Sequence, residues 1–254
     1  MIVKTDAIVL ATMKYGDTSK IARLYTKEFG KISVIAKGVR SPKSRLRACL
    51  EPSYHVAAVI YKKENRELHL LSQCDVLETF RHVAENMDKL KTAMVALELV
   101  NVVSHDEERN EELFMTLLSH LRLVDAATKS PLPALYYFEM KLSSILGFRP
   151  ELSVCTQCGE TIPEEAAAAQ REYGFGKSGV LCDVCGTGGK MTISPATLSV
   201  LRMLRTVSSA EAALNLQLAQ PVADQVGKVL RLHLQSHVGG CRGLRSEEVF
   251  AAMT

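Results

Sequence analysis

The residues whose type and spacing best suit chemistry are four cysteines in the stretch CTQCGETIPEEAAAAQREYGFGKSGVLCDVCG. They form two CxxC pairs, Cys155 with Cys158 and Cys182 with Cys185, separated by 23 residues. Each pair can wrap a metal ion with two thiolates, and the glycine after each second cysteine, Gly159 and Gly186, lets the chain turn tightly beneath the ion. Two such loops close a tetrahedral four-thiolate site for Zn²⁺, which has no geometric preference of its own and suits sulfur. The gap exceeds the roughly 15–20 residues usual for this pattern, and EEAAAAQRE, a good short helix by propensity, accounts for the extra length. Four protein ligands leave no position for a reacting water, so the expected zinc is structural.

Three other chemistries fit this segment less well. Thiol redox work needs a CxxC opening a helix after a strand with a low-pKa thiolate, and neither pair follows a βαβ pattern. A phosphate-binding loop ending in Gly176-Lys177-Ser178 would need glycine at position 171, where Arg171 stands, so GFGKSG reads as a turn between two short strands. A zinc deaminase would pair His105-Asp106-Glu107 with the first CxxC, but Val154 replaces the proline of that signature and Cys182 and Cys185 would be idle. Cys49, Cys74 and Cys241 have no partner at ligand spacing; they read as small buried hydrophobes, with Cys241 an exposed bystander. The seven histidines form no triad-like group, and nothing argues for an enzyme.

The second chemically suggestive group is cationic. Lys31, Lys37, Arg40, Lys43, Arg45 and Arg47 fall within KISVIAKGVRSPKSRLR, a strand followed by a loop rich in Gly, Pro and Ser. Lys and Arg dense on such a loop suit a phosphate backbone, because each contact releases condensed counterions. Tyr15, Tyr25, Phe29, Tyr54 and Tyr61 lie nearby in sequence; strand aromatics are mostly core, and any that are exposed offer faces for stacking bases. Residues 1–80 hold fourteen Lys/Arg against eight Asp/Glu, whereas the rest of the 254-residue chain holds seventeen against twenty. The formal charge of +3 therefore hides a basic end and an acidic remainder.

The elements that must position these groups divide the chain in two. Up to about residue 80, apolar β-rich segments alternate with turns at about ten-residue spacing: IVKTDAIVL, SKIARLYTKEFG, KISVIAKGV, YHVAAVIY and LHLLSQCDVLE, which predicts a small barrel or sandwich. From residue 81 the period becomes helical. MDKLKTAMVALELVNVVS predicts a buried face of Leu90, Met94, Leu97, Val100 and Val103; NEELFMTLLSHLRLVDAA, LPALYYFEMKLSSILGF, SPATLSVLRMLRTV with Ser194 as cap and Pro195 at the first helical position, and QPVADQVGKVLRLHLQSHV follow. The prediction is an α+β chain with a β domain at 1–80 and a helical domain at 81–254 carrying a zinc element over about 152–190. A hydrophobic share of 47% can supply a core, and no segment reaches the roughly 18–20 apolar residues needed to cross a bilayer. With no signal-peptide order at the N-terminus the protein is expected to be cytoplasmic, where paired cysteines favour metal over disulfides.

In this order of parts the sequence resembles the RecO family of bacterial DNA repair and recombination mediators. The likeness is carried by DAIVLATMKYGDTSKIARLYTKEFGKISVIAKGVRSPKS, the joint LLSQCDVLETF, LGFRPELSVCTQCG and the second CxxC. Asp17, where the family usually has Glu, is a mild departure. The resemblance implies an N-terminal OB-fold and a C-terminal helical domain with the zinc element. It also implies binding of single- and double-stranded DNA, annealing of complementary strands, association with RecR, and work on single-strand-binding protein so that RecA can load, without catalysis and at the nucleoid. DNA contact is carried first to Lys37 and Arg40 in KGVR, then to Lys43, Arg45 and Arg47, with Lys31 beside them; Arg202 and Arg205, facing one way at near-helical spacing, extend the track, and Arg231 follows. The alternative is a protein-interaction adaptor that holds the tail of single-strand-binding protein in an apolar groove of the helical domain.

Overall fold

The computed structural model describes residues 1–254 apart from 42–43, 64–65, 164–169, 187–190, 208 and 252–254. Five strands form the N-terminal part: β1 (Ile2–Tyr15), β2 (Ser19–Thr26), β3 (Gly30–Ala36), β4 (His55–Tyr61) and β5 (Leu68–Glu78). They close into a barrel in the order β1-β2-β3-β5-β4, with β4 pairing back onto β1. All pairs are antiparallel except β3 with β5, which meet in parallel over Ser33–Ile35 and Leu68–Leu70. This is the OB-fold expected of the sequence.

The period-2 alternation explains why the segment closes. In β3, Ile32, Val34 and Ala36 point into the barrel while Lys31, Ser33 and Ile35 point outward. Val9, Leu24, Val34, Val56 and Ile60 fill the interior, and Cys49 and Leu50, at the end of a 3-10 turn over Arg45–Cys49, pack against the same core. A bulge between Val9 and Ala11 supplies extra twist to the long first strand. The turn after β3 needs Gly38, whose φ of +66° lies in the left-handed region.

Helices α1 (Arg81–Glu85), α2 (Met87–Val103) and α3 (Glu111–Ala126) follow. Side-chain caps start the two long ones: Asn86 Oδ1 accepts from Lys89 N–H at 3.0 Å and Asn110 Oδ1 from Leu113 N–H at 2.9 Å. The buried face of α2 departs from the expected stripe. Leu97, Val100 and Val103 are buried as predicted, but Leu90 and Met94 are only half-buried, while Thr92, Ala93, Val95, Ala96 and Leu99 are buried as well. Strand β1 and helices α1, α3 and α8 (Arg245–Ala251) all pack on α2, so it has no single wet face. For this reason the compact unit holding the barrel continues through Met1–Thr128 and takes up Gly243–Thr254.

The other compact unit, Lys129–Arg242, contains α4 (Leu132–Ile145), a small sheet of β6 (Arg171–Gly174), β7 (Gly179–Val180) and β8 (Thr192–Ile193), and helices α5 (Pro195–Thr206), α6 (Ala210–Leu214) and α7 (Gln220–His237). Ser194 caps α5, its Oγ accepting from Thr197 N–H at 3.2 Å, with Pro195 first in the helix as the sequence predicts. Helices α4 and α7 meet closely at Gly227, where a Cβ would stand 3.0 Å from the ring of Tyr136. The Tyr136 hydroxyl donates to the Ala223 carbonyl at 2.7 Å across the same contact. The first six residues of EEAAAAQRE lie outside the described residues, and Arg171 and Glu172 begin β6 instead of continuing a helix. Cys241, expected at the surface, is fully buried beside α7, where it acts as a small hydrophobe.

Candidate metal centre and nucleic-acid interface

The four cysteines converge. Their Sγ atoms all lie within 4.8 Å of one another, and those of Cys158 and Cys182 are 3.7 Å apart. Thiolates around a tetrahedral ion with metal–sulfur bonds of roughly 2.3 Å stand about 3.8 Å from each other, so the donor set fits a bound metal ion.

Local backbone bonds build each loop. Gly159 N–H returns to the Cys155 carbonyl at 2.8 Å, and Gly186 N–H to the Cys182 carbonyl at 2.8 Å. Gly159 has φ +79°, and a Cβ on Gly186 would meet the Cys182 carbonyl oxygen at 3.1 Å, so both positions favour glycine. The two loops are locked together through β7: Thr156 N–H donates to the Val180 carbonyl at 3.0 Å, and Val180 N–H to that of Glu151 at 3.0 Å. Burial opposes ionisation of Cys155, but donation from the backbone of Cys182, Cys158 and Gln157 outweighs it and holds the thiol at about 6. Hydrogen bonds to Cys182 and Cys158 push Cys185 up to about 12. Four thiols this close cannot all ionise by themselves, and a divalent cation removes that repulsion. The GKS stretch forms a 3-10 turn, Phe175–Lys177, joining β6 to β7, as the sequence predicts.

The basic residues are dispersed differently from the sequence expectation. Lys37 and Arg40 are exposed on the turn leaving β3, and Arg40 rests its guanidinium on the Asp17 carbonyl at 2.9 Å, tying this turn to the one between β1 and β2. Arg47 is exposed, Arg45 opens the 3-10 turn, and Lys43 lies outside the described residues. Lys31 is engaged: its Nζ donates to the carbonyls of Asn101 at 2.9 Å and Ser104 at 2.6 Å and pairs with Asp106 at 3.4 Å. Arg202 donates to the carbonyls of Leu152 at 2.9 Å and Ile162 at 2.8 Å. Arg205 pairs with Glu151 at 3.2 Å and donates to Ser153. These two arginines do face one way, onto the segment that carries the first CxxC. Arg231 pairs with the fully buried Glu139 at 2.9 Å.

A shallow cavity of about 630 Å³ opens on the outer wall of the barrel, lined by Lys37, Tyr61, Lys63, Arg66 and Leu70 among others. Beside it a second of about 540 Å³ shares Lys63, Arg66, Glu67 and His69 and reaches Lys31 and Lys62. In the second, Glu107 already engages its neighbours, pairing with Lys62 at 2.7 Å and sharing a hydrogen bond with the buried His69 at 2.9 Å. Glu107 is thereby committed within the barrel unit, and His105 is exposed in the loop between α2 and α3. Lys63 and Arg66 escaped the sequence reading because KKENRE looks like an ordinary polar turn; its three cations in five residues were the available signal. Of the aromatics, Tyr25 is core, raised to about 12 chiefly by burial, whereas Tyr15 and Tyr61 are exposed.

Fold and site together define a class: an OB-fold protein whose cationic barrel wall precedes helices accompanied by a four-cysteine cluster that could hold a metal ion. Residues 1–80 match the family model "Recombination protein O N terminal" and residues 84–248 match "Recombination protein O C terminal". The chain belongs to the RecO family of DNA repair proteins. It is similar to the DNA repair protein RecO of Symbiobacterium thermophilum, 31% identical over 96% of this chain and 94% of the relative. It is 28% identical to that of Chloroherpeton thalassium over 98% of both chains, and 37% identical to that of Prosthecochloris aestuarii over 68% of this chain and 66% of the relative. Among the described residues no helix is long and apolar enough to cross a membrane.

Proposed function

We propose that this chain is a non-enzymatic recombination mediator. In this reading it binds single- and double-stranded DNA through the barrel of residues 1–80, anneals complementary strands and, with RecR, helps load RecA onto DNA coated by single-strand-binding protein, as a cytoplasmic, nucleoid-associated protein. The observation that carries the reading is the exposed cationic wall, with Lys37 and Arg40 on one turn and Lys63 and Arg66 on the loop after β4.

The physical logic is that two strands repel until a bound protein lowers their mutual charge. Lys and Arg contacts to phosphate do this without reading base edges, so the bases stay free to pair. Lys37 and Arg40 are the first contacts, and Lys43, Arg45 and Arg47 come second. Lys31, Arg202 and Arg205 contribute through their field, since their donors already serve the fold. The helical domain of residues 81–254 holds a structural Zn²⁺ on Cys155, Cys158, Cys182 and Cys185, supported by the fit of their spacing to a tetrahedral thiolate site.

The test is annealing of complementary strands coated with single-strand-binding protein, with and without RecR. The reading expects stimulation that Lys37→Ala with Arg40→Ala reduces; equal rates with and without this protein would refute it. A second reading, an adaptor for the tail of single-strand-binding protein, is favoured by one observation. The groove lies not between helices of residues 81–254, as the sequence reading placed it, but where β1 and β2 meet α2 and α8. About 880 Å³ in volume and lined by Met13, Met94, Val249 and Phe250 with Arg23 and Arg245 at its side, it suits an acidic, partly apolar peptide. Binding of a labelled tail peptide that Met13→Glu abolishes is the outcome this reading expects.

A further inference from the structure

The outer wall of a small barrel normally faces water and is polar, yet three adjacent strands here carry a row of apolar residues on it. Ile35 of β3 stands directly beside Leu70 of β5, and Leu70 directly beside Tyr61 of β4. The period-2 rule brings Leu68 to the same wall as Leu70. Lys37 and Lys63, two positions beyond Ile35 and Tyr61, line the same cavity together with Arg66. Tyr61 is 43% exposed, so its ring is available to a ligand instead of being spent on the core. The cavity therefore has an apolar floor, one accessible aromatic ring and three cations against the single acid Glu67 among its described lining residues.

We propose that this wall is a stacking platform for unpaired nucleobases, with Tyr61 as its ring, Ile35 and Leu70 as its floor, and Lys37, Lys63 and Arg66 on the flanking phosphates. The proposal rests on the DNA-binding reading above and deepens it by naming the form of DNA the site distinguishes. A ligand that is flat and apolar on its faces and anionic at its edge is a single-stranded nucleotide. In a duplex the base faces are already covered, so only the rim cations can engage it. Stacking uses the faces of a base and leaves its pairing edge free, so a strand gripped at this point remains able to find its complement.

The chain contains no tryptophan, which makes Tyr61→Trp a single fluorescent reporter in the 254-residue chain. Its emission is expected to be quenched by a short oligothymidylate, but not by an abasic oligomer of the same length or by a blunt duplex. Anisotropy of labelled DNA measures binding independently in each case. Tyr61→Ala should weaken single-strand binding about tenfold, leave duplex affinity and the salt slope unchanged, and lose its effect on the abasic strand; Tyr61→Phe should restore it. Binding of oligothymidylate without quenching, or an equal loss on intact and abasic strands, overturns the platform while leaving the DNA-binding reading in place. Quenching by an acidic peptide ending in phenylalanine and not by the oligomer assigns the wall to a protein partner and also overturns it. If the wild-type protein binds neither single strands nor duplex, the DNA-binding reading itself fails.

Discussion

Glu98, in the middle of α2, caps the last helix through Ser246: one carboxylate oxygen accepts from Ser246 N–H at 2.8 Å and from its Oγ at 2.6 Å. The other takes Arg245 N–H at 2.9 Å. A helix of seven residues is too short to be stable by itself, and here a side chain from a distant helix satisfies its first free donors. Glu98→Ala should therefore release α8 from α2 and cost about 1–2 kcal/mol. Urea denaturation of the full chain, together with amide exchange over Gly243–Ala251, would register the loss; unchanged protection there would contradict it.

A pH dependence follows from the joint between β5 and α3. Arg122 bonds both oxygens of Glu78, at 2.6 and 2.9 Å. This pairing first, against a smaller burial penalty and with help from His55 at 2.9 Å, draws the carboxyl down to about 2. A depressed carboxylate contributes stability that is fully present above its unfolded value, about 4.3, and lost as pH falls through its folded one. Wild-type stability should thus decline between about pH 4.5 and 2 more steeply than that of Glu78→Gln. Parallel acid titrations followed by circular dichroism compare the two, and identical slopes would assign the acid limb to other groups.

Removing the metal should act on folding before function. Chelation, or Cys155→Ser with Cys158→Ser, would leave the two CxxC loops without the proposed Zn²⁺ that would neutralise four adjacent thiols. The expected outcome is a markedly lower melting temperature for the unit of residues 129–242, with one zinc released per chain by atomic absorption. DNA affinity per folded molecule should stay within about twofold, because the proposed contacts lie on the barrel.

The arginines of α5 and the cations of the barrel should separate in the same pair of assays. Arg202→Ala strands the carbonyls of Leu152 and Ile162 and is expected to cost about 1–3 kcal/mol of stability, with a change in the salt slope well below that of losing a phosphate contact. Lys37→Ala should leave the melting temperature alone and lower the slope of log affinity against log salt by about 1. A reversed pattern would exchange the structural and functional assignments.

Much of this molecule is legible along the chain because the relevant physics is local. Alternation of apolar residues marks all five strands, and LHLLSQCDVLE coincides with β5. Ser194 sits where a helix needs its first N–H groups satisfied, as the sequence reading has it, and the structure adds Asn86 and Asn110 in the same role. The paired CxxCG loops announce a candidate metal site because the turn geometry beneath an ion is encoded within five residues. The break in texture at residue 81 marks the change from strand to helix, and the two family segments meet there as well. The compact units part later, after Thr128, because α2 and α3 spend their apolar faces on the first unit.

What the sequence by itself determined was which segments are strands and helices, that four thiols would meet, and that positive charge gathers at the N-terminal end. Only the tertiary structure decided which cations are free for a partner. Lys31, Arg202 and Arg205 are cationic residue types like Lys37, but their donors meet carbonyls and carboxylates brought from 39 to 75 residues away. Likewise Tyr25 and Tyr61 are both strand tyrosines, one buried in the core and one on the wall. A side chain's charge or ring is written in its residue type, whereas its availability depends on what the fold packs against it.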